Sequence, residues 1–293
     1  MQTRRTFLKH AALLAFAAGL PLEKLLAQPS RFTSLRRNVG FYSNSGGTIG
    51  WLINGDSTVI IDSQYAEQAA DCLKGVQERR AAQVDALFNT HHHGDHTGGN
   101  AVFAAKKIIA QERVPDLQKT QGGARASTAV ATTVFAKEWK GAFGDETVVA
   151  RHVTPAHTGG DSIIHFQNAN VAHMGDLVFN RVYPFIDRPG GASVKGWITT
   201  LETALTWFDA DTIFILGHGN PSFGVQGKKA ELIKMKSYLS ALIDHVEKGL
   251  REKKSREEIT TLMMLPGFED YVSFGPRLSL TANLQVVYDE LTA

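Results

Sequence analysis

Six residues constrain this chain more than any other stretch. His91-His92-His93-Gly94-Asp95-His96 comes after Val84-Asp85-Ala86-Leu87-Phe88, a short apolar run that reads as a buried strand ending in Asn89-Thr90. Four imidazoles and a carboxylate so close together have no packing rationale. Imidazole nitrogens and carboxylate oxygens are zinc ligands, and a catalytic zinc site keeps one position open for water. In an extended segment, side chains at i and i+2 point the same way, so His91 and His93 can grip one ion. The chain turns at Gly94, where Asp95 and His96 can face a second ion beside the first.

The flanking sequence predicts strands before helices, twice over. Ile49-Gly50-Trp51-Leu52-Ile53 and Thr58-Val59-Ile60-Ile61 flank Asn54-Gly55-Asp56, a hairpin turn. A helix is predicted over 63–80, with Ser63 able to cap it. Residues 99–140 read as helix and loop, broken at Gly122-Gly123. Strands resume over 148–154, 162–166, 171–173 and 212–216, with a helix over 194–208 between the last two. Leu232, Met235, Leu239, Leu242 and Val246 mark an amphipathic helix, and Ser255-Arg256-Glu257-Glu258 starts another with a capping box. Two β-then-α halves imply an α/β fold, a four-layer αββα sandwich with helices outside.

His-x-His-x-Asp-His after a strand, followed by Thr97-Gly98-Gly99-Asn100, resembles the metallo-β-lactamase superfamily. Later motifs arrive in that family's order: Thr154-Pro155-Ala156-His157-Thr158-Gly159-Gly160-Asp161, then His173-Met174-Gly175-Asp176, then Leu216-Gly217-His218-Gly219-Asn220-Pro221. The resemblance implies two Zn2+ per chain. His91, His93 and His157 would hold the first, Asp95, His96 and His218 the second, and Asp176 would bridge both. Many zinc β-lactamases carry Cys or Ser where this chain has Asp176, so the ligand set looks like that of glyoxalase II, as does His92. The C-terminal pattern that binds glutathione thioesters in glyoxalase II is missing. Flavo-diiron relatives carry glutamate at the position of His93; the nitrogen-rich set here favours zinc.

The implied activity is a dinuclear zinc hydrolase that turns a metal-bridging hydroxide on a carbonyl-derived bond: a β-lactam amide, a lactone or ester, or a thioester of a small molecule. Asp95 is the candidate catalytic residue, orienting that nucleophile and relaying its proton. The alternative is a non-hydrolytic exported metalloprotein of the same fold, either an iron oxidoreductase or a metal-binding accessory factor.

Residues 1–27 read as an address. Arg4-Arg5-Thr6-Phe7-Leu8-Lys9 precedes an apolar run from Ala11 to Leu22 that is too short to span a bilayer, which takes ~20 residues. This resembles a twin-arginine signal peptide, and implies the export machinery as partner and a periplasmic or secreted mature protein. An amphipathic helix that stays on the protein is the competing reading. The mature chain, 28–293, is expected to be a single domain with a C-terminal helical extension and no stable membrane span. Four basic residues and one acidic residue precede position 28; removing them takes the whole-chain net charge of +2 to −1. That balance argues against a nucleic-acid partner. A lone cysteine excludes an intrachain disulfide; Cys72 sits on the stripe Ala69, Cys72, Leu73, Val76 and reads as a core thiol.

The remaining polar residues carry competing readings. Asp62 is either a residue that orients a ligand histidine or a helix cap. His165 and His173 read as satisfied core histidines. Lys195 and Arg181 could meet a substrate carboxylate, although surface charge is their default. Tyr183, Phe185, Trp197 and Trp51 could line a pocket mouth, although core is the default.

Overall fold

The structure, a computed structural model, describes residues 31–121 and 129–293. The leader at 1–27 and the break at Gly122-Gly123 lie outside the described residues. Seven strands form one sheet in sequence order: β1 (Phe32–Arg36), β2 (Val39–Tyr42), β3 (Ile49–Ile53), β4 (Thr58–Ile61), β5 (Ala86–Phe88), β6 (Ile108–Gln111) and β7 (Thr133–Phe135). Pairing is antiparallel from β1 to β4 and parallel from β4 to β7. The later strands are β8 (Glu138–Phe143), β9 (Glu146–Arg151), β10 (Ile163–Phe166), β11 (Val171–His173), β12 (Phe179–Asn180), β13 (Ile213–Ile215), β14 (His218–Gly219) and β15 (Gln226–Gly227). Six of them build the second sheet in the order β15-β13-β11-β10-β9-β8, while β12 and β14 pair only with each other. The helices are α1 (Ala66–Arg79), α2 (Gly94–Thr97), α3 (Asn100–Phe103), α4 (Val114–Gln121), α5 (Val194–Trp207), α6 (Lys229–Arg251), α7 (Arg256–Thr260) and α8 (Leu280–Thr292).

Strand alternation builds the layers. Val59, Ile61, Phe88 and Ile109 of the first sheet face Val148, Ile164, Phe166 and Ile215 of the second, forming the inter-sheet core. Their neighbours Ile60, Leu87 and Ile108 point the other way, onto Ala69, Cys72 and Val76 of α1. On the far side, Ala172 and Phe214 meet Trp197 and Leu201 of α5 and Leu232, Met235 and Leu239 of α6. Three apolar layers between four structural ones make the αββα sandwich.

Several local expectations change. The helix expected from Ser63 begins at Ala66 with Tyr65 at its cap, and no side chain caps it. Ser63 is instead buried, with Oγ 2.8 Å from Asn100 Oδ1 and 3.1 Å from the His96 carbonyl. Residues 99–140 hold β6, β7 and part of β8 as well as helix, because β6 is a four-residue buried strand whose apolar run is too short to show a period. The capping box at Ser255 is present, with Ser255 Oγ accepting from Glu258 N at 3.2 Å. Among the described residues, no helix is long and apolar enough to cross a membrane.

Candidate metal centre

All seven expected ligand residues leave strand ends at one rim of the sandwich. His91, His93, Asp95 and His96 follow β5, His157 follows β9, Asp176 follows β11 and His218 follows β13. They form two groups that meet at Asp176. In the first, His93 Nδ1 lies 3.1 Å from His91 Nε2 and 3.0 Å from His157 Nε2, and Asp176 Oδ2 stands 3.5 Å from His157 Nε2. In the second, His218 Nε2 is 3.1 Å from Asp95 Oδ2, 3.3 Å from Asp176 Oδ2 and 3.5 Å from His96 Nε2. Each group is compact enough to hold one cation.

The outward ring nitrogens decide what faces inward. His157 Nδ1 donates to the Phe185 carbonyl at 2.8 Å, which leaves Nε2 as a lone pair. Thr90 Oγ1 donates to Asp62 Oδ2 at 2.7 Å, so it accepts from His91 Nδ1 at 3.0 Å and leaves His91 Nε2 bare. Asp187 Oδ2 accepts from His93 Nε2 at 3.0 Å, leaving His93 Nδ1 bare. Three lone pairs therefore point at one another, two on the buried His91 and His157 and one on the half-buried His93. The spacing is close to the ~3.3 Å edge of a tetrahedron with zinc–nitrogen bonds of about 2.05 Å. Such an arrangement repels itself unless a cation lies between the nitrogens, and this is the test that the residues pass. Asp176 Oδ1 adds to it: the oxygen is buried without a well-directed hydrogen bond, although His96 Nε2 is 3.0 Å away.

Asp62 settles its two readings. Its carboxylate is fully buried, sits 2.7 Å from His96 Nδ1 and accepts from Thr90 N and Oγ1, so one residue steadies both His96 and His91. Its backbone is left-handed, with φ of 60°, an uncommon conformation outside glycine. The loop before β3 closes over the ring of His96: a β-carbon at Gly47 would overlap that imidazole, and one at Gly217 would overlap Asp176 Oδ1.

The two groups differ electrically. Burial holds His91 well below the ordinary imidazole range and lowers His157 to about 3, so both are neutral. Burial also opposes charge on His218 and His96. The Asp176 and Asp95 carboxylates outweigh it, raising His218 to about 10 and His96 well above 6.5. Burial pushes the Asp95 and Asp176 carboxyls up, but the neighbouring imidazoles more than reverse it and keep both ionised.

Asp187 was not anticipated from the sequence. It is 5% exposed, and its Oδ2 lies between His93 Nε2 and His92 Nε2, 3.3 Å away. Its position in Asp187-Arg188-Pro189-Gly190-Gly191 reads as an ordinary turn. Gly190 N donates to its Oδ1 at 3.1 Å.

Other expectations resolve at this rim. His173 is satisfied, with Nε2 bonded to the Thr48 carbonyl. His165 is not: its Nε2 is buried with no partner, and the ring packs edge-on to Phe208. A cavity of about 720 Å³ opens above His93, Asp95, Asp176 and His218. Phe185 lines it, whereas Tyr183, Trp197 and Trp51 are core. Neither Lys195 nor Arg181 lines it; Arg181 pairs with Glu231 and Asp270.

Known proteins are similar in sequence and share the fold. A hydroxyacylglutathione hydrolase from Crocosphaera subtropica is 30% identical over 129 residues, 42% of this chain and 44% of that protein. A metallo-beta-lactamase from Chryseobacterium indologenes is 24% identical over 57% of this chain and 70% of its own length. Among solved structures, an inverting sec-alkylsulfatase from Pseudomonas sp. superposes with a TM-score of 0.67 at 14% identity, over 89% of this chain and 50% of that one. A metallo-beta-lactamase from Pontibacter korlensis superposes at 0.57 with 16% identity, over 71% of this chain and 98% of its own. The chain thus spans under half the length of the hydroxyacylglutathione hydrolase and half that of the alkylsulfatase. The sequence model of the metallo-beta-lactamase superfamily matches residues 45–218, a span that contains every ligand candidate, and the chain belongs to that superfamily.

Proposed function

We propose that this protein is a dinuclear zinc hydrolase acting on a carbonyl-derived bond of a small molecule. The observation that carries the reading is the trio of inward lone pairs on His91, His93 and His157. These three would hold the first ion, Asp95, His96 and His218 the second, and Asp176 would touch both. Two bound zinc ions supply Lewis acidity and an activated water near neutral pH. The chain supplies the rest. Asp95, held ionised at the cavity floor, accepts a hydrogen bond and so orients the attacking water. Phe179, stacked 5.1 Å from the His218 ring, keeps that imidazole at a fixed tilt. Zinc suits five imidazoles and two carboxylates better than a redox iron pair does.

The test is a panel on zinc-loaded protein: chromogenic β-lactam, lactone, aryl ester, thioester and sulfate ester. Hydrolysis of a carbonyl substrate that disappears on chelation and returns with zinc supports the reading. No hydrolysis across the panel, or activity with iron alone accompanied by a redox change, overturns it.

Loading should release protons. At pH 7 the metal-free His96 and His218 carry a proton each, and ligation needs both lone pairs, so about two protons should leave. His91 and His157 are already neutral and contribute none. Affinity of the second group should therefore climb as pH rises from about 6.5 towards 10. Calorimetry in buffers of different ionisation enthalpy measures the count; a value of zero contradicts it.

Asp187 positions His93. Asp187→Asn, which keeps shape but loses the charge, should weaken binding at the first group by about 10–100-fold. Chelator competition would show this. Unchanged affinity together with an unchanged His93 tautomer by nitrogen NMR would refute the role.

We also propose that residues 1–27 direct export of a one-domain mature protein, 28–293, on the strength of Arg4-Arg5 and the short apolar run behind them. Changing both arginines to lysine should strand precursor in the cytoplasm; normal export of that variant refutes it.

A further inference from the structure

The cavity above the ligand cluster has two kinds of lining besides the ligands: polar Ser43, Asn44 and Ser45, and apolar Val182, Phe185, Phe274 and Leu278. Phe274 is 54% exposed, and Leu278 and Phe185 line the same cavity, so the apolar lining is open to a ligand. Arg277, next to Leu278 in sequence, lines both this cavity and a second one. Two other arginines line that second cavity, and each has a carboxylate: Arg256 pairs with Asp289 and Arg188 with Glu290. Among the described residues, the Arg277 guanidinium has neither a hydrogen bond nor an ion pair. Among the described residues, the carboxylates lining the first cavity are Asp95 and Asp176, both already engaged by imidazoles.

The turn that carries Arg277 is anchored at both ends. Val272 N donates to the Arg181 carbonyl at 3.0 Å, and Tyr183 N donates to the Val272 carbonyl at 3.1 Å. Past the turn, Ser279 Oγ donates to the Pro276 carbonyl at 2.8 Å and caps α8 by accepting from Ala282 N. The Arg277 side chain is exposed, on a backbone turn held at both ends, and an unpaired guanidinium beside apolar lining is a recognition group for an oxyanion, which it can grip with two parallel N–H bonds.

We propose that Arg277 binds the anionic end of the substrate, and that Phe274, Leu278 and Phe185 bind an apolar stretch between that anion and the bond to be cleaved. The substrate class is therefore an amphipathic ester, amide or thioester carrying a remote carboxylate or similar oxyanion. A cavity of about 720 Å³ accommodates a ligand of ordinary small-molecule size. This inference rests on the hydrolase reading for the bond cleaved, but not for the anion contact.

The experiment uses zinc-loaded protein and two matched esters, mono-4-nitrophenyl adipate and its methyl ester, which differ only in the remote charge. Wild type should prefer the anionic ester in kcat/KM by about tenfold, the size of one charge-assisted hydrogen bond, mostly through KM. Arg277→Ala should erase the preference and Arg277→Glu should invert it. Lys195→Ala, an exposed cation outside the cavity, should retain it. A preference that survives in Arg277→Glu overturns the proposal, as does a wild type that treats both esters alike. If wild type hydrolyses neither ester, the hydrolase reading has failed for this bond, and the anion site is decided by calorimetric binding of methyl hydrogen adipate. Binding about tenfold weaker in Arg277→Glu sustains it, and equal binding overturns it.

Discussion

Asp176→Asn is expected to lower zinc affinity by about 10–100-fold and to remove most turnover at limiting zinc. Asp176 offers oxygen to both ligand groups: Oδ2 lies 3.5 Å from His157 Nε2 and 3.3 Å from His218 Nε2, while Oδ1 lies 3.0 Å from His96 Nε2. Asparagine keeps the shape but removes the charge that would balance two dications. A carboxylate between such ions stays ionised, so a proton-shuttling role is not expected of it. Excess zinc should recover part of the activity. Asp176→Cys should retain metal better than Asp176→Ala, because a thiolate is also an anionic zinc ligand. Elemental analysis and chelator competition measure all three variants. Two tightly held zinc ions in Asp176→Asn, with only turnover lost, would shift the residue to proton transfer.

Trp197→Ala should destabilise the metal-free protein by about 3–5 kcal/mol. The indole is fully buried on α5, and its Nε1 donates to the Leu177 carbonyl at 2.9 Å. The ring also packs against His157, with centroids 5.3 Å apart, so the cavity left by truncation would open beside a ligand. Trp197→Phe fills most of that space and loses chiefly the hydrogen bond, which is worth about 1–3 kcal/mol when a buried partner is left unpaired. Urea denaturation separates the two costs. A loss below about 1 kcal/mol for the alanine variant would mean that the α5 contact with the second sheet is not a principal source of stability.

The ligand motifs were legible because each is local: a strand end followed by its polar residues can be read without knowing what lies opposite. The amphipathic helices were legible for the same reason, as the α6 stripe shows. Asp187 was not, because its meaning depends on His92 and His93, 94 and more residues away in sequence, and a lone aspartate before Arg-Pro-Gly-Gly carries no sign of them. Asp62 was half legible: its place after β4 suited both readings, and only the contact with His96 chose between them. β8 was missed although it alternates, with Glu138, Lys140 and Ala142 exposed and Trp139 and Phe143 turned inward. Two small residues within it, Gly141 and Ala142, blur the period. Arg277 lay beyond every motif, on a turn that only tertiary packing brings to the cavity.

The division of ligands between sheets has a mechanical consequence. Four of the seven belong to the segment after β5 in the first sheet, and three belong to segments after β9, β11 and β13 in the second. A cation held there would be a cross-link between two halves that otherwise meet through an apolar seam and a few hydrogen bonds, such as that from His173 to the Thr48 carbonyl. Shear along that seam would change the spacing of the ligand groups directly. With metal bound, the rim of the sandwich would act as a rivet, and loading it should make the two sheets open together rather than apart.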